Sequence, residues 1–221
     1  MCFINSLEQR FLNICLKSAK IAHTGTIKQG VDPFTLLFKK KLKHGIFYAV
    51  KCENLIKRRF VKYNKKPSVL ILDVDGVMTT GQFLYSEKGK EYKVFGPHDN
   101  DGIKIISEKI KVIFLTADRR GFNISKKRIV DDMGLELMLV SEGDRLSFIE
   151  KQYGLENVVY MGDGYHDAII LKKCLYGIAP NNARNEAKIA ADFITSSNSG
   201  EGAVLDACLH IIKTFFKPLT D

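Results

Sequence analysis

The feature that most constrains the fold is a series of short, continuous apolar runs that alternate with segments of helical pattern. Residues 69–72 form the first run, which is typical of a strand covered on both faces. Strands that alternate with helices predict an α/β fold with a parallel sheet, right-handed crossovers and helices on both faces. The other predicted strands are 112–115, 137–140, 158–161, 176–179 and 193–195, and the predicted helices are 101–109, 123–133, 145–153, 167–173, 183–190 and 202–216.

One insertion interrupts this alternation directly after the first strand. Residues 82–86 and 91–95, separated by residues 87–90, predict a β-hairpin. No other interruption is long enough for a separate cap domain, so we expect a site without a cap of its own.

The excess of positive charge belongs to the start of the chain. Of the 221 residues, 1–66 hold 15 Lys and Arg against 3 Asp and Glu, whereas 67–221 hold 19 against 22. We therefore divide the chain into a basic, helical N-terminal extension (1–66) and a folded α/β domain (67–221). Runs of charge are commonly solvated helix faces, and contact of this segment with nucleic acid or a membrane stays an open alternative.

The composition also indicates the compartment. The five cysteines are scattered and never at CxxC spacing, so neither a disulfide framework nor a structural zinc site is expected. The sequence shows neither a membrane-spanning apolar run nor the pattern of a secretion signal. These features predict a cytoplasmic protein.

Carboxylates follow two of the predicted strands, at the edge where an α/β sheet binds its ligands. Asp73 and Asp75 come after the first strand, and in extended chain they would point the same way and repel each other without a cation or a shared proton. Asp163 and Asp167 follow the fourth. Four acids gathered there favour Mg²⁺, a hard cation that prefers oxygen ligands. For Asp167 the alternative is a helix N-terminal residue favoured by the dipole.

Thr116 and Arg145 are candidates for contacts with a phosphoryl group. Thr116 closes the second buried strand, where its hydroxyl either donates to a ligand or caps a helix. Arg145 lies in the first turn of a predicted helix if Asp144 is the cap, and a cation there opposes the helix dipole. A bound anion would explain it, and an exposed arginine without a partner is the alternative.

Taken together, these residues resemble the four motifs of the haloacid dehalogenase superfamily. The resemblance implies a Rossmann-like three-layer fold without a cap. Within the superfamily, residues 67–216 resemble the 3-deoxy-D-manno-octulosonate 8-phosphate phosphatases. The superfamily motifs are Asp73-x-Asp75-Gly76-Val77, Thr116, Arg145 and Gly162-Asp163-x-x-x-Asp167, and the narrower resemblance rests on 73–80 with the following hairpin, Phe95, Asp99, 102–104 and 200–204.

This resemblance implies a Mg²⁺-dependent phosphatase that acts on a small phosphorylated sugar acid of the octulosonate 8-phosphate or nonulosonate 9-phosphate type, in lipopolysaccharide biosynthesis. Asp73 would be the nucleophile and Asp75 the general acid and base. It also implies a homotetramer that uses the hairpin. The implied metal ligands are Asp73, Asp75 through its backbone carbonyl, Asp163 and Asp167, and the implied substrate contacts are Thr116, Arg145, Asp99, Arg119 and Gly202.

The sequence departs from the family pattern near the substrate. Arg145 stands where lysine is usual, Asp118 follows Ala117 where Gly-Arg is usual, and Glu201 replaces an arginine. Arg145 preserves the charge of the usual lysine but changes the donor geometry. The loss of a cation at Asp118 and the acid at Glu201 argue against the standard octulosonate substrate or for a different pose. Two other hypotheses remain: a catalytically drifted binding or scaffold protein that docks through its basic N-terminal segment, and a phosphosugar mutase, which a chain without a cap disfavours because water must be excluded.

Overall fold

A six-stranded parallel sheet with helices on both faces organises residues 65–216, the part of the chain that this computed structural model describes. The predicted extension over 1–66 lies almost wholly outside the described residues. Within them, no helix has the length and apolarity to cross a membrane. The strands are β1 (Val69–Asp73), β2 (Thr79–Ser86), β3 (Gly89–Phe95), β4 (Lys111–Thr116), β5 (Glu136–Leu139), β6 (Val158–Met161), β7 (Tyr176–Ala179) and β8 (Phe193–Ile194).

Five of the six α-helices in the described region lie between strands, and the sixth follows the last strand. The helices are α1 (Asp99–Ser107), α2 (Phe122–Lys126), α3 (Glu142–Tyr153), α4 (Asp167–Lys173), α5 (Asn185–Ala190) and α6 (Ala203–Ile211), with wider helical turns over Lys127–Asp132 and Ile212–Phe216 that continue α2 and α6.

The strand order, β5-β4-β1-β6-β7-β8, places β1 at the centre of the sheet. It pairs in parallel with β4 on one side and with β6 on the other. The chain thus extends the sheet first in one direction and then in the other, and a crevice for ligands opens beyond the carboxyl ends of β1 and β6. The predicted α/β fold is confirmed.

Alternate residues of β1 supply the two halves of the core. Leu70 and Leu72 pack with Ile103 of α1 and Val204 of α6. Ile71 faces the opposite layer, which holds residues of α3 and α4. Because successive side chains of a strand point to opposite faces, a strand buried on both sides needs the continuous apolar run seen here.

The hairpin, β5 and α3 differ from the sequence predictions. The hairpin strands β2 and β3 are longer than predicted, and the turn is only Glu87 and Lys88 because Ser86 already pairs with Gly89. β5 is an edge strand and leaves Leu139 40% exposed. α3 starts three residues early because Ser141, rather than Asp144, is its N-cap.

Candidate active site

The turn after β1 creates the first wall of the site. Asp73 ends the strand, and Val74–Met78 form a wide turn in which Gly76 has a φ of +92°. A Cβ at Gly76 would lie 2.3 Å from the Asp163 carboxylate. Glycine is required here both for its backbone conformation and for this close approach.

Three acids from two neighbouring strand ends converge beside this turn. Oxygen atoms of Asp73, Asp163 and Asp167 all lie within 4.8 Å of one another. Burial, followed by the like charge of Asp167, raises the pKa of Asp163 to about 7. Burial also raises the pKa of Asp73, against the opposing influence of Arg145. The cluster is therefore short of positive charge, as the sequence predicted for acids gathered at this edge.

Arg145 is buried beneath two of these acids. Its Nη1 atom lies 3.1 Å from both Asp73 Oδ1 and Asp167 Oδ1, and the side chain is 5% exposed. Although burial disfavours the cation, Asp73, then Tyr160 and Asp167, raise its pKa above the ordinary arginine value. The alternative of an exposed arginine without a partner is wrong. Its buried Nε has no hydrogen-bond partner in the described part of the chain.

Tyr160, which the sequence analysis missed, contacts both Arg145 and Asp167. Its hydroxyl donates to Asp167 Oδ1 over 2.5 Å and accepts from Arg145 over 3.0 Å. Burial, together with the nearby Asp167 carboxylate, raises the pKa of the phenol. The only available signal was a hydroxyl-bearing residue inside an otherwise apolar buried strand.

Asp75 has a cation of its own, Lys93 from β3. The Lys93 Nζ atom lies 2.8 Å from Asp75 Oδ2 and 2.9 Å from the Ser125 hydroxyl. Thr116 Oγ1 is 3.4 Å from the same Asp75 oxygen. The repulsion expected between Asp73 and Asp75 is thus relieved by two separate cations. Sequence reasoning missed Lys93 because nothing distinguishes it from the other hairpin lysines.

A second hairpin lysine pairs with Asp118. Lys90 Nζ lies 2.6 Å from Asp118 and 3.4 Å from the centre of the Phe83 ring. Lys93 also approaches Asp118, at 2.9 Å. Burial alone would raise the pKa of Asp118, but hydrogen bonds from Lys90 and then Lys93 outweigh it and lower the pKa to about 2. Asp118 is therefore a carboxylate near neutral pH.

A cavity of about 360 Å³ joins these groups, a size suited to a small ligand. Thr116 and Arg145 line it with the acids, whereas the predicted substrate contacts Asp99, Arg119 and Gly202 do not. Asp99 is fully buried and accepts the Val204 N–H of α6 over 2.9 Å, Gly202 directly precedes α6, and Arg119 is exposed. The lining residues are Asp73, Asp75, Phe83, Lys90, Thr116, Ala117, Asp118, Glu142, Arg145, Asp163, Gly164, Tyr165, His166 and Asp167.

Comparison with known proteins identifies the family. Residues 139–207 match the family model of haloacid dehalogenase-like hydrolases. The chain is 34% identical over 140 residues to 3-deoxy-D-manno-octulosonate 8-phosphate phosphatase KdsC of Haemophilus influenzae, covering 61% of this chain and 76% of that protein. It is 29% identical over 150 residues to KdsC of Escherichia coli K12, covering 63% and 76%.

Solved structures show the same architecture. A probable YrbI family phosphatase from Pseudomonas syringae superposes with a TM-score of 0.63 at 28% identity, covering 70% of this chain and 89% of that one. The cobalt-bound deoxy-D-mannose-octulosonate 8-phosphate phosphatase of Haemophilus influenzae superposes with a TM-score of 0.60 at 28% identity, covering 70% and 91%. The chain therefore belongs to the haloacid dehalogenase family of hydrolases and is one of its phosphatases.

Proposed function

We propose that this protein is a Mg²⁺-dependent hydrolase of a small phosphorylated sugar acid that forms an aspartyl-phosphate on Asp73. The observation that carries the proposal is the convergence of Asp73, Asp163 and Asp167 within 4.8 Å at the floor of a cavity. Such a cluster is unfavourable without a cation. The 28% identical relative described above is a cobalt-bound phosphatase, which supports a divalent cation at this position.

The donor set fits magnesium, because carboxylate and carbonyl oxygens are its preferred protein ligands. Asp73, Asp163 and the backbone carbonyl of Asp75 would hold the ion, with Asp167 positioning them. When bound, Mg²⁺ would withdraw negative charge from the phosphoryl oxygens. The raised pKa of Asp163 agrees with a ligand that needs a cation to ionise fully near neutral pH.

The chain's own residues divide the hydrolysis into two steps. A carboxylate oxygen of Asp73 attacks phosphorus, the bond to the leaving oxygen breaks, and Asp75 gives that oxygen a proton. Asp75 then takes a proton from water as the water attacks phosphorus, which releases phosphate and restores Asp73. Thr116 and Arg145 would donate to phosphoryl oxygens, a role supported by their position in the cavity lining.

The cavity lining offers partners for the hydroxyl groups of a sugar. The carboxylates of Asp118 and Glu142 can accept hydrogen bonds from hydroxyl groups, and Lys90, which pairs with Asp118, has further N–H donors for a substrate oxygen. The relatives named above are octulosonate 8-phosphate phosphatases. Because Asp118 is an acid where the family usually has arginine, we include nonulosonate 9-phosphates in the proposed class.

The test is hydrolysis of a panel of sugar-acid and neutral sugar phosphates by the purified protein with Mg²⁺. We expect phosphate release that chelation abolishes and that Asp73→Asn lowers below detection. Asp131→Asn, which removes an exposed acid that does not line the cavity, is the matched control. Full activity of Asp73→Asn, or no activity of the wild type on any sugar-acid phosphate, would overturn the proposal.

A catalytically drifted scaffold is not favoured, since the relatives are phosphatases and the acids converge. Its basic docking segment, with any nucleic acid or membrane contact, lies outside the described residues.

A homotetramer is supported by five exposed apolar side chains on the hairpin, and light scattering after size exclusion tests it. The domain boundary at 66/67, the cytoplasmic location and a role in lipopolysaccharide biosynthesis stay predictions. The five exposed side chains are Phe83, Leu84, Tyr85, Tyr92 and Val94.

A further inference from the structure

We propose that Lys93 is a positioning residue that fixes the carboxylate of Asp75 for proton transfer to the leaving group. The inference rests on the proposed function, in which Asp75 is the general acid and base. It assigns a role in the reaction to the hairpin, an element that carries none of the four sequence motifs.

The Lys93 ammonium has all its contacts within the described part of the protein. Its side chain is fully buried, and its Nζ atom contacts Asp75, Asp118 and the Ser125 hydroxyl at 2.8, 2.9 and 2.9 Å. An ammonium group has three protons, so three acceptors satisfy it. Lys93 is therefore held in place and has no free donor for substrate.

The same ammonium holds both oxygens of the Asp75 carboxylate. Lys93 Nζ lies 2.8 Å from Oδ1 and 2.8 Å from Oδ2. Asp75 also lines the cavity, so this double contact sets how its carboxylate faces the space in which the substrate would lie. A general acid needs a fixed orientation because its oxygen must stay within hydrogen-bond reach of the reacting group.

The charged residues of the site form two separate networks. Arg145 pairs with Asp73 and Asp167, whereas Lys93 pairs with Asp75 and Asp118. Without Lys93, the carboxylate of Asp75 would lose its buried counter-ion and its anchor together. We expect it to turn away from the leaving oxygen, since an unpaired buried charge is strongly unfavourable.

The hairpin geometry explains why this lysine reaches the site. Its neighbours on β3, Tyr92 and Val94, are 61% and 40% exposed, while Lys93 is buried. Side chains of a strand alternate between faces, so the register of β3 turns Lys93 inward. Ser125, on α2, accepts a further hydrogen bond from the same ammonium.

The experiment compares Lys93→Met, Lys93→Arg and the exposed hairpin control Lys88→Met on two substrates. One is p-nitrophenyl phosphate, whose leaving group departs without protonation, and the other is the sugar phosphate that the wild type hydrolyses fastest. Single-turnover rates isolate transfer to Asp73. For Lys93→Met we expect the sugar phosphate rate to fall about 10- to 100-fold and the aryl phosphate rate much less. Lys93→Arg should restore part of the difference, and Lys88→Met should match the wild type.

Thermal unfolding of each variant separates folding from chemistry. If Lys93→Met does not fold, Ser125→Ala takes its place. This variant keeps the Lys93 ammonium but removes one of its hydrogen-bond acceptors. It should lower the sugar phosphate rate relative to the aryl phosphate rate, by a smaller factor than Lys93→Met. If the variant tested, Lys93→Met or in its place Ser125→Ala, lowers the single-turnover rates on both substrates equally, the positioning role is overturned while the proposed function stands. An inactive wild type would instead overturn the proposed function and this inference with it.

Discussion

Replacing Asp163 with asparagine is expected to stabilise the metal-free protein while removing its response to Mg²⁺. Burial and the charge of Asp167 raise the pKa of Asp163 from 3.8 to about 7. Between about pH 4 and about pH 7, the folded state therefore holds a proton on Asp163 that the unfolded state has released. The wild type therefore loses stability as the pH rises from about 4 to about 7. Asparagine has nearly the same shape and carries no charge, so it avoids this loss.

The size of the effect follows from the shift. At about 1.4 kcal/mol per pKa unit, ionising Asp163 at pH 8 costs at most about 4 kcal/mol. Because Asp163 is only partly buried, solvent reduces this to about 2 kcal/mol. For a domain of this size, that gain corresponds to an increase in Tm of about 4–8 °C. At pH 5, where the folded wild type is already protonated, the gain should be smaller by more than half.

The assay is thermal and urea unfolding of the wild type, Asp163→Asn and the exposed control Asp131→Asn, at pH 5 and pH 8, with EDTA or saturating Mg²⁺. A ligand that binds only the folded state raises its stability, so Mg²⁺ should stabilise the wild type and the control but not Asp163→Asn. A lower Tm for Asp163→Asn at pH 8 in EDTA, or a difference that does not change with pH, would refute the reasoning.

Two further predictions concern the packing of α6. Gly102→Ala should lower the free energy of unfolding by about 1–3 kcal/mol in urea titrations, because its Cβ would lie 2.6 Å from Leu205 Cα; an unchanged midpoint would contradict this tight packing. Asp99→Ala should cost about 1–2 kcal/mol, because the Val204 N–H at the start of α6 loses its acceptor. A rise in KM without loss of Tm would show instead that Asp99 serves substrate binding.

The sequence determined the sheet and the acids at its edge. An apolar run such as 69–72 is typical of a strand buried on both faces, and its alternation with helical segments favours a parallel sheet. Because carboxyl ends of parallel strands share one edge, Asp73 and Asp163 had to be close once their strands were neighbours. The apolar runs, the alternation with helical segments and the acids after the strands are all local patterns, and together they predict one arrangement, a parallel sheet with these acids at one edge.

The tertiary structure decided which cation meets which acid. Arg145 contacts Asp73 and Asp167, while Lys93 reaches from the hairpin to Asp75 in the turn after β1. The tertiary structure also buries Asp99 away from the cavity lining, where its carboxylate accepts the Val204 N–H of α6. Sequence spacing cannot fix such pairings, because they depend on the register of β3 and on the packing of helices that are far apart in the chain. The charge of each side chain follows from its residue type, whereas the group it pairs with depends on which side chains the fold brings within contact distance.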